Sequence, residues 1–189
     1  SPLIVQVSRF DRLKGFQHLI PAFAHLLACG ERRIAKLRAD SNRIRSELKA
    51  AQLVLAGPDP AHVADDPEGH EVLAALCAQR QQLPADVRSR VHLIRLPMVS
   101  PKQNALTVNA LQRLAMVVVQ NSIREWFGLT VAEAIWKGSP VVAANTGGIA
   151  EQIRHGTDGL LVDDPTDHEA VAEALLEMLA YPRRADDMA

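Results

Sequence analysis

The stretch QNSIREWFGLTVAEAIWKGSPVVAANTGGIAEQ (Gln120–Gln152) decides the fold. It closes one apolar run, MVVVQN, and passes through an aromatic-glycine turn. A helical pattern follows over Leu129–Lys137, then a second apolar run, PVVAA, and another glycine turn. Runs apolar at nearly every position are buried on both faces, which marks a parallel sheet covered by helices. The same rhythm extends outward. Strands are expected near Leu3–Ser8, Gln52–Gly57, Val91–Leu96, Met116–Gln120, Pro140–Ala144 and Gly159–Val162. Helices are expected near Gly15–Cys29, Pro67–Leu83, Lys102–Leu114, Leu129–Lys137, Ile149–His155 and His168–Leu179. Six β-α units in series predict an α/β fold with a doubly wound, Rossmann-like parallel sheet and helices on both faces. Such sheets bind ligands at the carboxyl ends of their strands. The loops after Ser8, Gly57, Leu96, Gln120, Ala144 and Val162 are therefore where a site is sought.

Composition narrows the classes. The chain has 189 residues, 48% hydrophobic, enough for one substantial core. A net charge of −1, from 21 basic and 22 acidic residues, offers no footprint for nucleic acid or an acidic membrane. Its apolar runs are too short to span a bilayer. Two isolated cysteines, Cys29 and Cys77, make no disulfide framework and point to a reducing cytoplasm. A strand opening at Leu3, with no signal peptide before it, leads to the expectation that the chain was cut from a longer one. One domain is expected over 1–181. The charged segment Glu31–Ala51 is read as a solvated helical insertion, with Leu37, Ile44 and Leu48 as a sparse apolar stripe. Residues 182–189 lose the apolar pattern and are expected to fray.

Candidate residues fall on the expected loops. Arg9 and Lys14 lie between the first strand and the first helix, where two cations suit a diphosphate. Surface charge in a βα loop is the plain alternative, and the commoner one. Glu125 belongs to a loop, and Glu133 sits one to two turns into the helix that Gly128 opens. Such carboxylates are too far apart to share a proton. Each accepts two hydrogen bonds, which suits a vicinal diol. Between them, the N–H groups of Phe127, Gly128 and Leu129 are donors at a positive helix end. An ordinary helix acid and a surface glutamate explain the same spacing. Gly147-Gly148 reads as a tight strand-to-helix connection. The acids of DDPEG (Asp65–Gly69) read as helix N-terminal residues rather than a cation site. The scattered histidines give no metal-ligand spacing, and no Walker lysine, G-x-G-x-x-G or G-x-S-x-G motif occurs.

Taken together, R-x4-K after the first strand, E-x7-E enclosing FGLT, and TGGI resemble the donor-binding domain of retaining glycosyltransferases with the GT-B fold. The resemblance is to the group with glycogen-, sucrose- and trehalose-forming enzymes, and covers the chain apart from Glu31–Ala51. DDPEG, NALQRL, NSIREWFGLTVAEAIWKG and GGIAEQI are most similar to the glycosyltransferring trehalose synthases and trehalose phosphorylases. The resemblance implies a UDP- or ADP-glucose substrate, no prosthetic group and no metal needed for catalysis. It implies Arg9 and Lys14 on the leaving diphosphate, Glu125 on the donor-sugar hydroxyls and Glu133 on the ribose diol. Phe127, Gly128, Leu129 and Thr130 would supply backbone or hydroxyl donors. Leu96–Val99 would flank the base, and Gly147 and Gly148 would belong to the same site. Acceptor binding would fall to an N-terminal domain absent from this chain, leaving the chain alone without useful transfer. Trp126 stands where the group usually carries a small residue, and either crowds the sugar pocket or points into the domain interface. Other readings are a retaining transferase with another hexose and acceptor, a non-catalytic nucleotide-binding module, or a GT-B epimerase.

Overall fold

In the computed structural model, residues 1–181 are described, except 36, 38, 39, 64 and 65. The expected frayed tail and Asp65 lie outside the described residues. The strands are β1 (Leu3–Val7), β2 (Gln52–Pro58), β3 (Val91–Leu96), β4 (Val117–Gln120), β5 (Val141–Ala144) and β6 (Leu160–Val162). The helices are α1 (Phe16–Ile34), α2 (Ser41–Ala50), α3 (Pro67–Gln81), α4 (Ala85–Arg88), α5 (Pro101–Leu114), α6 (Leu129–Trp136), α7 (Gly147–Gln152) and α8 (His168–Ala180). All strand pairs are parallel, in the order β3-β2-β1-β4-β5-β6. This is the doubly wound order, and it reverses between β1 and β4, which opens a crevice above their carboxyl ends.

Period-two alternation builds two cores from the same strands. Ile4, Leu53, Leu55, Val117, Val119 and Val142 face α1, α2, α3 and α8. Val5, Val54, Val118, Val141 and Ala143 face the layer of α5, α6 and α7. Two expectations about the connections change. Short 3-10 turns at Arg12–Lys14 and Pro60–His62, and the one-turn α4, were not anticipated from the pattern. Of the expected insertion, residues 31–34 end α1 and Ser41–Ala50 form α2, and α2 is not simply solvated. Ile44 and Leu48 are buried in the first core, and a Cβ added at Gly30 would meet Leu48 Cδ2 at 2.5 Å. Two apolar residues at i, i+4 suffice to dock a helix whose other faces are charged. Arg43 ties α2 to the end of α8, donating to Ala180 O at 2.5 Å and to Glu47.

Candidate functional site at the sheet switch point

The crevice between β1 and β4 is lined by the loops that follow them, and buried polar side chains stitch those loops together. Gln6, fully buried on β1, donates to Lys14 O at 2.7 Å and accepts from Asn121 N at 2.9 Å. Ile123 N donates to Leu13 O at 2.8 Å. Asn121 Nδ2 donates to Pro165 O at 2.9 Å, which adds the loop after β6. Gly15 closes the 3-10 turn with φ 66°, and a Cβ there would meet Asn121 O at 1.9 Å. Only a residue without a side chain lets the two backbones cross so closely.

This crossing brings together two of the residues proposed from sequence. Lys14 Nζ lies 2.5 Å from Glu125 Oε2, across 111 positions of chain, with both side chains mostly enclosed. Ser122 Oγ donates to the same oxygen at 3.2 Å, and Trp126 N–H donates to Oε1 at 3.2 Å. Arg9 is exposed, in the loop after β1, and makes no ion pair with any described residue. Gly128, at φ 87°, caps the start of α6. The N–H groups of Phe127, Gly128 and Leu129 have no partner among the described residues, as expected of a helix start. Glu133 stands one turn further along, exposed, 3.7 Å from Lys137 Nζ.

Other residues are placed differently. Leu96 is 2% exposed, because it closes β3 and points into the second core. Its side chain therefore cannot flank a base, and only Met98 and Val99 of that loop are exposed. Gly147 and Gly148 support the glutamate loop from behind. A Cβ at Gly147 would lie 1.7 Å from Glu125 O, and one at Gly148 would lie 2.5 Å from Trp126 O. Gly148 N also donates to Trp126 O at 3.2 Å, and Gln152 Nε2 donates to Phe127 O. Thr130 turns its hydroxyl inward, 2.8 Å from Gln120 Oε1. Trp126 is 85% exposed with the Arg124 guanidinium 5.3 Å from its ring centroid, so it projects off the domain rather than into the crevice.

Gln120 and Ser122 were not singled out from sequence. Their signal was there: a strand apolar on both faces that ends in consecutive polar residues. Asp66 caps α3 through Gly69 N at 2.9 Å, which supports the helix-terminal reading of that acidic run. Among the described residues no three His, Cys, Asp or Glu side chains are grouped to hold a metal, and no helix is long and apolar enough to cross a membrane. Beside the crevice, His18 Nδ1 lies 3.4 Å from His168 Nε2. Burial and the neighbouring His168 push His18 below the ordinary histidine value, against a smaller upward pull from Asp164.

The family model for glycosyl transferases group 1 matches residues 1–189. The chain belongs to that family. It is similar to a trehalose synthase of Pyrococcus horikoshii, 36% identical over 188 residues. That alignment covers 100% of this chain and 38% of the relative, so the chain spans well under half of it. Among solved structures, a sucrose-phosphate synthase from Thermosynechococcus elongatus superposes with a TM-score of 0.71 at 27% identity, over 99% of this chain and 38% of that one. An Anabaena protein solved with UDP and glucose superposes with a TM-score of 0.69 at 21% identity, covering 98% and 41%, which speaks to the fold alone. This group 1 glycosyltransferase chain thus has the Rossmann-like half-domain of the GT-B fold.

Proposed function

We propose that the chain is the donor-binding half of a retaining hexosyltransferase. It would take a nucleoside-diphosphate glucose and pass the hexose to an acceptor sugar held by an N-terminal domain, in trehalose synthesis. The observation that carries this reading is the Lys14–Glu125 pair at the sheet switch point, flanked by unpaired helix N–H groups. An ammonium and a carboxylate in contact answer the two ends of a nucleotide sugar. The cation turns to the diphosphate, and the carboxylate accepts from hexose hydroxyls.

The hard event is departure of the diphosphate from the anomeric carbon. Negative charge grows on phosphate oxygens, and Arg9, Lys14 and the start of α6 offer fixed positive charge for it. That arrangement performs the charge stabilisation a metal ion performs elsewhere. Retention follows when the acceptor attacks from the face the diphosphate leaves, with a phosphate oxygen taking its proton. Glu125 then positions the sugar and forms no bond to it. Glu133 holds the ribose diol, and Met98 and Val99 border the base. Gly147 and Gly148 act through the loop they support. The name of a relative, a trehalose synthase, supports this choice of substrate.

Calorimetric titration with UDP, ADP and GDP, then their glucose conjugates, without metal, tests the reading. The expected result is saturable binding of one nucleotide and its conjugate, weakened by Lys14→Ala and by Glu133→Ala. Absence of binding in both this chain and the full-length protein would refute it.

A further inference from the structure

Glu125 is the end of a buried chain of polar groups. Behind Ser122 lies Gln120, 1% exposed at the end of β4. Gln120 Nε2 is 2.8 Å from Ser122 Oγ, and Gln120 Oε1 is 2.8 Å from Thr130 Oγ1. Ser8 Oγ closes the network, 3.1 Å from Oε1 and 3.0 Å from Nε2.

The direction of this chain follows from proton counting. An ionised carboxylate only accepts, and a serine hydroxyl has one proton. Ser122 therefore gives its proton to Glu125, and its oxygen must accept from Gln120. That places the amide nitrogen of Gln120 toward Ser122 and the amide oxygen toward Thr130. An amide oxygen has no proton to give, so Thr130 gives its own. Thr130 Oγ1 is left with lone pairs only. The opposite amide orientation would put two acceptors on the one proton of Ser122.

We propose that Gln120 is a positioning residue for the sugar end of the site: through Ser122 it fixes the Glu125 carboxylate in place as an acceptor toward the ligand. A group that brings hydroxyl hydrogens fits there. Phosphate oxygens bring none and are left to Arg9, Lys14 and the N–H groups before α6. The relay thus sorts the two ends of the ligand. This deepens, and rests on, the nucleotide-sugar reading given above.

The test compares two dissociation constants in the full-length protein: one for the nucleoside diphosphate (UDP, ADP or GDP) that binds the wild type, and one for its glucose conjugate. Their ratio reports the sugar end alone. In Gln120→Leu and in Ser122→Ala that ratio should fall by about tenfold, while affinity for the nucleoside diphosphate moves by less than about threefold. Gln120→Glu adds a readout that packing would not move. A protonated carboxyl there offers Ser122 an O–H in place of the amide N–H. The lost ratio should therefore return as pH falls from about 8 to about 5.5, since a buried carboxyl titrates above its ordinary range. An unchanged ratio, equal weakening of both ligands, or a pH-independent Gln120→Glu variant overturns the relay. If Gln120→Leu does not fold, Ser122→Ala decides the matter, because it removes one buried oxygen and no packing. A wild type that binds neither ligand is a different result. It overturns the nucleotide-sugar reading and the relay with it.

Discussion

At the scale of single residues, Gly147 and His18 make the sharpest statements. Gly147 adopts φ 49° with the carbonyl of Glu125 where a side chain would begin. Gly147→Ala should cost about 2–4 kcal/mol, from left-handed strain and from the clash with backbone that cannot swing aside. Because the displaced group is the glutamate loop, nucleotide-sugar affinity should fall further than thermal stability. Parallel melting and titration curves check this. His18 makes a prediction in pH. Its folded value lies below the ordinary one, so between the two values the unfolded chain binds more protons than the folded. Stability contributed by neutral His18 is present above the ordinary histidine value of about 6.5 and is lost as pH falls through the folded value. The melting temperature should fall on acidification across that window, and His18→Gln should flatten the fall. A slope identical in both proteins would refute the assignment.

At the scale of elements, α2 shows how much patterning carries and where it stops. The stripe of Leu37, Ile44 and Leu48 was visible in the sequence, but its partner was not, because the docking surface comes from α1 and α8. Ile44→Ala should destabilise the fold by about 2–5 kcal/mol, as expected of a cavity in a closed core. Lys49→Ala, on the exposed side, should stay within about 0.5 kcal/mol. Denaturant unfolding of the two variants separates a docked helix from a solvated one. The strands were legible because they are apolar on both faces, a pattern few other structures need. The short turns at Arg12–Lys14 and Pro60–His62 were not, since three residues carry no period. Lys14 and Glu125 could each be placed on a loop from sequence. Their contact could not, because it depends on which strands become neighbours. The burial of Leu96 was not legible either: its place at the end of β3 was expected, but which face a strand's last residue takes depends on parity and on the layer that covers that face.

At the scale of the whole molecule, one edge of the sheet carries a run of exposed apolar side chains. Leu13, Val99, Ile123, Trp126, Phe127 and Leu129 are all exposed in the loops and helix start beyond the carboxyl ends of the strands. Apolar groups gathered at the carboxyl edge of such a sheet would suit a surface that another domain covers. The isolated chain should therefore associate with rising concentration, and Trp126→Ser should reduce that association in sedimentation velocity. Glu125→Gln in the full-length protein should lower sugar transfer by about 100-fold or more through lost positioning, with the melting temperature little changed. Equal turnover by the variant would move the reading toward a non-catalytic nucleotide-binding module.

The contact between Lys14 and Glu125 spans 111 positions of chain. Its two loops meet only after β1 has accepted β4 as a neighbour, which comes after a long stretch of intervening chain has been ordered. Long-range pairings of this kind form slowly, since the entropy of closing the loop is lost before the contact is gained. A nascent chain still lacking residues beyond 116 holds the first three strands but not β4, and so has no crevice between β1 and β4. A ligand held in that crevice would bind only the finished sheet, and would stabilise the completed chain over every partial one.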